Sequence, residues 1–77
     1  MLILNQWKSK IINLDRTEVI YADEIKYEGK NGVGIFAGIE SFPLGRYKDQ
    51  PRAREVLREI MMEYRIPGKK VYEMPEV

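Results

Sequence analysis

The chain has 77 residues and a formal net charge of +1, and it contains neither cysteine nor histidine. The missing residue types exclude disulfides, thiolate zinc sites, cysteine nucleophiles and histidine general bases. The balanced charge gives no overall attraction to nucleic acid or anionic lipid, and the small core of such a domain is often supported by oligomerisation.

The composition also bears on location. No apolar run approaches the roughly 20 residues that span a bilayer, and the opening residues Met1–Gln6 lack the basic stretch of a signal peptide. The absence of cysteine suits a reducing compartment. We therefore expect a cytoplasmic protein with no membrane partner.

Two short apolar runs open the chain, Leu2–Leu4 and Ile11–Leu14. The polar segment between them predicts a hairpin. Residues 15–18 predict a turn, and Val19–Tyr21 resume the strand pattern with an irregularity expected at residues 22–23.

A second hairpin follows. Ile25 and Tyr27 alternate with charged neighbours, which is typical of a strand with one face in water. Asn31-Gly32 is a strong two-residue turn signal, so we expect the turn there and a returning strand over residues 33–39. Glycines 34 and 38 of that strand indicate a bulge or a close backbone approach. A proline at position 43 favours an edge or a bend, and residues 44–47 predict a last short strand.

The helix signal is the clearest in the chain. Asp49 is a good N-cap, Pro51 suits the first turn, and Pro67-Gly68 ends the helix. We therefore predict a helix over about residues 50–65 and an extended tail over residues 69–75. Six apolar residues follow the i, i+3, i+4, i+7 spacing of an amphipathic helix, namely Ala53, Val56, Leu57, Ile60, Met61 and Tyr64.

The order of elements is strands within residues 1–47, one helix, and a short extended tail. This order predicts one α+β domain over residues 1–77. Its expected architecture is an antiparallel sheet of four or five strands with the helix packed on one face.

The predicted helix has a divided charge pattern. Its arginines at positions 54, 58 and 65 share one flank, its glutamates at positions 55, 59 and 63 share the other, and Met62 points away from the apolar face. A solvated helix surface explains this pattern, since such ion pairs contribute only about a few tenths of a kcal/mol. Self-association of two antiparallel copies also explains it, because one copy's arginine flank then meets the other's glutamate flank. The candidate interaction surface consists of Arg54, Glu55, Arg58, Glu59, Met62 and Arg65.

Basic and aromatic residues raise a second possibility, nucleic-acid binding. Residues 46–77 hold 8 basic and 6 acidic groups, and aromatic side chains on a sheet face stack on unpaired bases. The simpler interpretation is that the aromatic residues at positions 7, 21, 27 and 36 fill a small core. The candidate nucleic-acid contacts are Arg46, Lys48, Arg54 and Arg58.

Catalysis is not predicted. The only hydroxyl nucleophiles outside tyrosine are Ser9, Thr17 and Ser41, and the chain has no histidine to activate them. The acidic cluster at positions 23, 24 and 28 lacks the spacing of a calcium loop. A domain of this size rarely encloses a ligand pocket. We expect no enzyme activity, no metal and no cofactor.

Five motifs occur together along the chain: Leu-Asn-Gln at 4–6, Ile-Ile-Asn-Leu-Asp at 11–15, Leu-Gly-Arg-Tyr at 44–47, Arg-Ala-Arg-Glu-Val-Leu-Arg-Glu-Ile at 52–60, and Val-Tyr-Glu-Met-Pro at 71–75. From Leu4 to Pro75 this combination resembles a family of short uncharacterised proteins of Gram-positive bacteria and their prophages. The resemblance implies no catalytic or binding residues. The segment at residues 36–43 is longer than in that family, so the pairing of the last strand stays open.

These observations favour a small non-catalytic protein-interaction module that forms homo-oligomers. The alternative is a nucleic-acid-binding accessory factor of prophage origin.

Overall fold

The computed structural model describes residues Met1–Val77 and has the α+β composition that the sequence predicts. The elements in chain order are β1 (Leu2–Leu4), β2 (Ile11–Asn13), a one-turn 3-10 helix (Leu14–Arg16), β3 (Ile20–Tyr27), β4 (Lys30–Ala37), β5 (Phe42–Tyr47), α1 (Gln50–Tyr64) and β6 (Val71–Glu73).

The strands form two three-stranded sheets, which corrects the prediction of one antiparallel sheet of four or five strands. β1 lies between β2 and β6 in the first sheet, and β4 lies between β3 and β5 in the second. The β1–β6 pair is parallel, whereas the other pairs are antiparallel. Strand periodicity identifies an extended segment and its apolar face, but it does not identify the neighbouring strand, so the sequence pattern alone does not predict this division.

The β3–β4 hairpin turns at Glu28-Gly29, whereas the sequence predicts a turn at Asn31-Gly32. Both turn residues have positive φ, 51° and 77°, as this type of two-residue turn requires. Asn31-Gly32 lies within β4, opposite Ile25 and Lys26. The observed register turns alternate residues of Val33–Ala37 toward the core, and a slip of one residue would turn them to solvent.

The expected irregularity at residues 22–23 is absent, because β3 runs without interruption. The register shift occurs instead between β4 and β5, where Ile35 pairs with Gly45 and Phe36 pairs with Pro43. The extra residue of β5 at this bulge is Leu44, whose side chain is completely buried. β5 pairs with β4 in antiparallel orientation. The bulge places one additional apolar side chain in the core.

α1 spans Gln50–Tyr64, and the carboxylate of Asp49 accepts a hydrogen bond from the backbone N–H of Arg52 at 3.0 Å. The apolar face is buried as far as Ile60. Met61 and Tyr64, which the periodicity assigns to that face, are each 51% exposed, so this part of the prediction is wrong. The last turn of α1 extends beyond the part of the helix that the core covers.

The hydrophobic core takes residues from both sheets and from α1, which places the three layers around one apolar centre. Its eleven buried members are Ile3, Val33, Ile35, Ala37, Leu44, Tyr47, Ala53, Val56, Ile60, Tyr72 and Met74.

Gln6 connects the two sheets. Its backbone N–H donates to the carbonyl of Leu44 at 2.7 Å, and its side-chain Oε1 accepts from the N–H of Arg46 at 2.8 Å. Its Nε2 lies 2.8 to 3.1 Å from the carbonyl oxygens of Arg46, Pro75 and Glu76. Gln6 therefore extends the hydrogen bonding of β5 and holds the end of the tail against it.

We expect Gln6→Ala to lower the free energy of unfolding by about 1 to 2 kcal/mol, because several main-chain groups lose their partner. Urea unfolding followed by circular dichroism measures the change. Gln50→Ala removes the chain's only other glutamine and should have a much smaller effect. Equal destabilisation by both variants would show that Gln6 does not connect the sheets energetically.

Candidate functional site

The residues of the predicted interaction surface are exposed and lie on α1 or directly after it, and Met62 is 57% exposed. Arg65 is the C-cap of α1. The helix therefore presents this set of side chains on the side that the core leaves free. The set comprises Arg54, Glu55, Arg58, Glu59, Met62 and Arg65.

The acidic flank of α1 is engaged within the molecule through Arg52. Its Nη1 lies 3.6 Å from Oε1 of Glu55 and 3.9 Å from Oε2 of Glu59. The hydroxyl of Tyr72 donates to Oε1 of Glu59 at 2.9 Å, and Nη2 of Arg52 donates to the carbonyl of Val77 at 2.9 Å. This network fastens α1 to β6 and to the tail. The sequence signal for it is the i, i+3 spacing of the arginine and the first glutamate.

Two buried tyrosines adjoin this network. Burial raises the pKa of Tyr47 to about 12, against the opposing effect of the Arg52 charge. Burial also raises the pKa of Tyr72 far above its usual range, and the hydrogen bond to Glu59 adds to the rise. The hydroxyl of Tyr47 donates to the carbonyl of Pro75 at 2.9 Å. Both phenols therefore stay protonated at neutral pH and act as hydrogen-bond donors to their partners.

The last turn of α1 is held by Tyr64, whose hydroxyl donates to Oδ1 of Asp15 at 2.6 Å. This hydrogen bond lowers the pKa of Asp15 and raises the pKa of Tyr64. The contact positions the exposed end of the helix relative to the first sheet.

The arginine flank differs from the acidic flank, because Arg54, Arg58 and Arg65 form no ion pair. Met61 and Met62 lie beside them and are 51% and 57% exposed. We call these five residues the methionine–arginine surface. It combines exposed apolar area with positive charge that has no partner within the molecule.

The structure separates the four candidate nucleic-acid contacts. The guanidinium of Arg46 lies 4.0 Å from the ring centroid of Tyr27, and Lys48 lines an open cleft of about 780 Å³ at the same end of the second sheet. Arg54 and Arg58 lie on α1, which packs on the opposite face of that sheet. The four residues therefore do not form one patch.

The aromatic residues expected to fill the core are largely outside it. Trp7 and Tyr27 are each more than half exposed, whereas Tyr47 and Tyr72 are the buried aromatic residues. Since side chains alternate along a strand, residues of the second sheet that point away from α1 form a separate surface, which we call the outer sheet face. It includes Tyr21, Ile25, Tyr27, Phe36 and Arg46.

Comparison with protein-family models, with curated proteins and with solved structures finds no match. The resemblance to a family of Gram-positive bacteria and their prophages therefore stays a prediction.

None of the helices has the length and apolar character needed to cross a membrane.

We expect the free energy of unfolding to fall as the pH rises above about 10. Tyr47 and Tyr72 have folded-state pKa values above the ordinary value of 10.0, so the unfolded chain releases these protons first. The stabilisation that these two phenols contribute is complete below a pH of about 10 and is lost as the pH rises above it. Urea unfolding at a series of pH values, with phenolate absorbance in parallel, measures this dependence. A Tyr47→Phe/Tyr72→Phe double variant should show a flatter alkaline profile, and an unchanged profile would contradict the assignment.

Proposed function

We propose that this chain is a small non-catalytic interaction module that self-associates through the methionine–arginine surface. The observation that carries the proposal is that Met61 and Met62 are more than half exposed beside three arginines without ion-pair partners. Methionine and arginine are enriched at protein interfaces. A cytoplasmic location, inferred from the cysteine-free composition, belongs to the same proposal.

Symmetry and charge both support a second copy as the occupant. In an isologous dimer the same surface meets itself about a two-fold axis. If two α1 helices pack antiparallel with the axis near residue 60, Glu55 of one copy lies near Arg65 of the other. Met62 then lies near Arg58 of the other copy. Each copy therefore supplies both an exposed carboxylate and a guanidinium to the interface.

The available area indicates a weak dimer. α1 has 15 residues, which gives a length of about 22 Å at about 1.5 Å per residue. A single pair of such helices buries an area in the small-interface range below about 1,200 Å², where association is weak or transient. We therefore expect dissociation constants in the micromolar range.

Sedimentation equilibrium across low to high micromolar concentrations tests the proposal, and we expect a monomer–dimer equilibrium. Met62→Ser should weaken the dimer at least tenfold, since burial of a large apolar side chain contributes about 1.5 kcal/mol or more and the symmetric dimer loses two of them. At concentrations below the dimer dissociation constant, where association does not add to stability, the variant should keep the wild-type melting temperature, because the side chain is outside the core.

The matched control is Ile39→Ser, which removes an apolar side chain that is 80% exposed in the turn between β4 and β5. It should leave the dimer constant unchanged. A wild-type chain that stays monomeric at high micromolar concentration would overturn the proposal, as would equal weakening by the two substitutions.

A further inference from the structure

The outer sheet face carries an aromatic ring close to the backbone of β4. A Cβ atom at Gly34 would come within 2.8 Å of two ring carbons of Phe36. One edge of the phenyl ring therefore covers the glycine, which is buried. A Cβ atom at Gly32 would lie 3.1 Å from the carbonyl oxygen of Tyr47 and 3.8 Å from Cγ of Arg46.

These planar groups form two stacks along the face. The rings of Tyr21 and Phe36 are 5.5 Å apart at an interplanar angle of 29°. The guanidinium of Arg46 lies over Tyr27 at 4.0 Å from the ring centroid. Between the two stacks the surface is apolar and filled, because a methyl group of Ile25 and the ring of Phe36 both lie close to Gly34, which is buried. The two stacks are the parts of this face on which flat ligand groups can stack in succession.

We propose that the outer sheet face binds single-stranded nucleic acid, with successive bases stacked on the Phe36–Tyr21 pair and on the Arg46–Tyr27 pair. Aromatic rings and arginine planes on a sheet are a general means of holding unpaired bases, and stacking tolerates different sequences. This binding goes beyond the proposed self-association and uses the side of the second sheet opposite to α1. Duplexes are excluded as main ligands, because their bases already stack on one another.

The charges near the face determine where the phosphates lie. The cleft at the hairpin end is lined by Lys30, Arg46 and Lys48, together with Glu28 and Glu76. Arg52 and Glu55 also line the cleft and form an ion pair, and Arg52 donates to the carbonyl of Val77. The basic side chains outnumber the acidic ones by one, and we place the phosphates beside Lys30, Arg46 and Lys48.

The opposite edge of the face is acidic. Asp23 pairs with Gly34 in the register of β3 and β4, which places its carboxylate on the outer sheet face. Its Oδ1 accepts a hydrogen bond from the backbone N–H of Glu24 at 2.9 Å. Repulsion keeps the phosphates away from β3, so the nucleic-acid backbone follows β5. Stacking therefore supplies most of the affinity, and charge supplies the smaller part.

The experiment uses the whole chain and fluorescein-labelled oligothymidine and oligouridine of about 15 nucleotides, the upper range of site sizes on small sheet domains. Fluorescence anisotropy is measured at several salt concentrations, with a duplex of the same length in parallel. We expect single strands to bind more tightly than the duplex. The logarithmic salt slope should be about −2, since about three phosphates are contacted at about −0.7 each.

Phe36→Leu keeps an apolar side chain over Gly34 but removes the π face, and it should weaken binding at least about fivefold. Arg46→Ala should also weaken binding and should make the salt slope shallower by about 0.7. Thermal melting checks that each variant is folded. Tyr27→Leu, at a site more than half exposed, gives a second measurement if Phe36→Leu lowers the melting temperature.

The matched control is Arg16→Ala, which removes the same charge from an exposed position in the 3-10 helix, outside both proposed surfaces, and should leave binding unchanged. Three results would each overturn the proposal: no anisotropy change at the lowest salt, equal affinity for duplex and single strand, or equal weakening by Arg46→Ala and Arg16→Ala. Dimer formation without oligonucleotide binding would leave the proposed function intact, so the two proposals fail separately.

Discussion

The structure depends on the return of the tail to the first strand of the chain. β6 lies parallel to β1, and the N–H of Met74 donates to the carbonyl of Leu4 at 3.0 Å beyond the paired residues. Gln6 then binds Pro75, from which it is separated by 69 positions in sequence. The tail thereby brings Tyr72 and Met74 into the core. With a core of only eleven residues, this closure supplies contacts that a single sheet and helix would lack.

The same closure determines which side of α1 is available to a partner. Tyr72 of β6 donates to Glu59, and Glu59 lies near Arg52, which in turn holds the end of the tail. Carboxylates of the helix are thus drawn toward the tail. The arginines on the other flank have no such contact and remain beside two exposed methionines. The difference between the engaged acidic flank and the free arginine flank of α1 therefore results from the position of the tail as well as from the sequence of the helix.

The two proposed surfaces lie on opposite sides of the second sheet. One face of that sheet packs against α1, and its other face carries the ring of Phe36 over Gly34. If both proposals hold, one small domain would associate with a second copy through α1 and leave the proposed nucleic-acid surface free. Because the formal net charge is only +1, local geometry matters more than the overall field of the protein for any recognition of nucleic acid.

Local sequence determined the helix and the existence of most strands. The cap at Asp49 and the spacing of Ala53, Val56 and Ile60 are short-range features, so α1 was predictable within one residue at its end. The spacing of apolar residues identifies one face of the helix, but it does not show which other elements pack against that face. For this reason the spacing also assigned Met61 and Tyr64 to the core. The exposed surface of α1 was predictable in outline, because its charges follow the helical repeat.

Tertiary structure decided which strands pair and which residues of the paired strands lie opposite each other. The parallel β1–β6 pair, the turn at Glu28-Gly29 and the bulge at Leu44 each satisfy the packing of one shared core. Such choices depend on residues far apart in the chain, and no local pattern encodes them. The outer sheet face has the same origin, because only the observed register places Phe36 beside Tyr21.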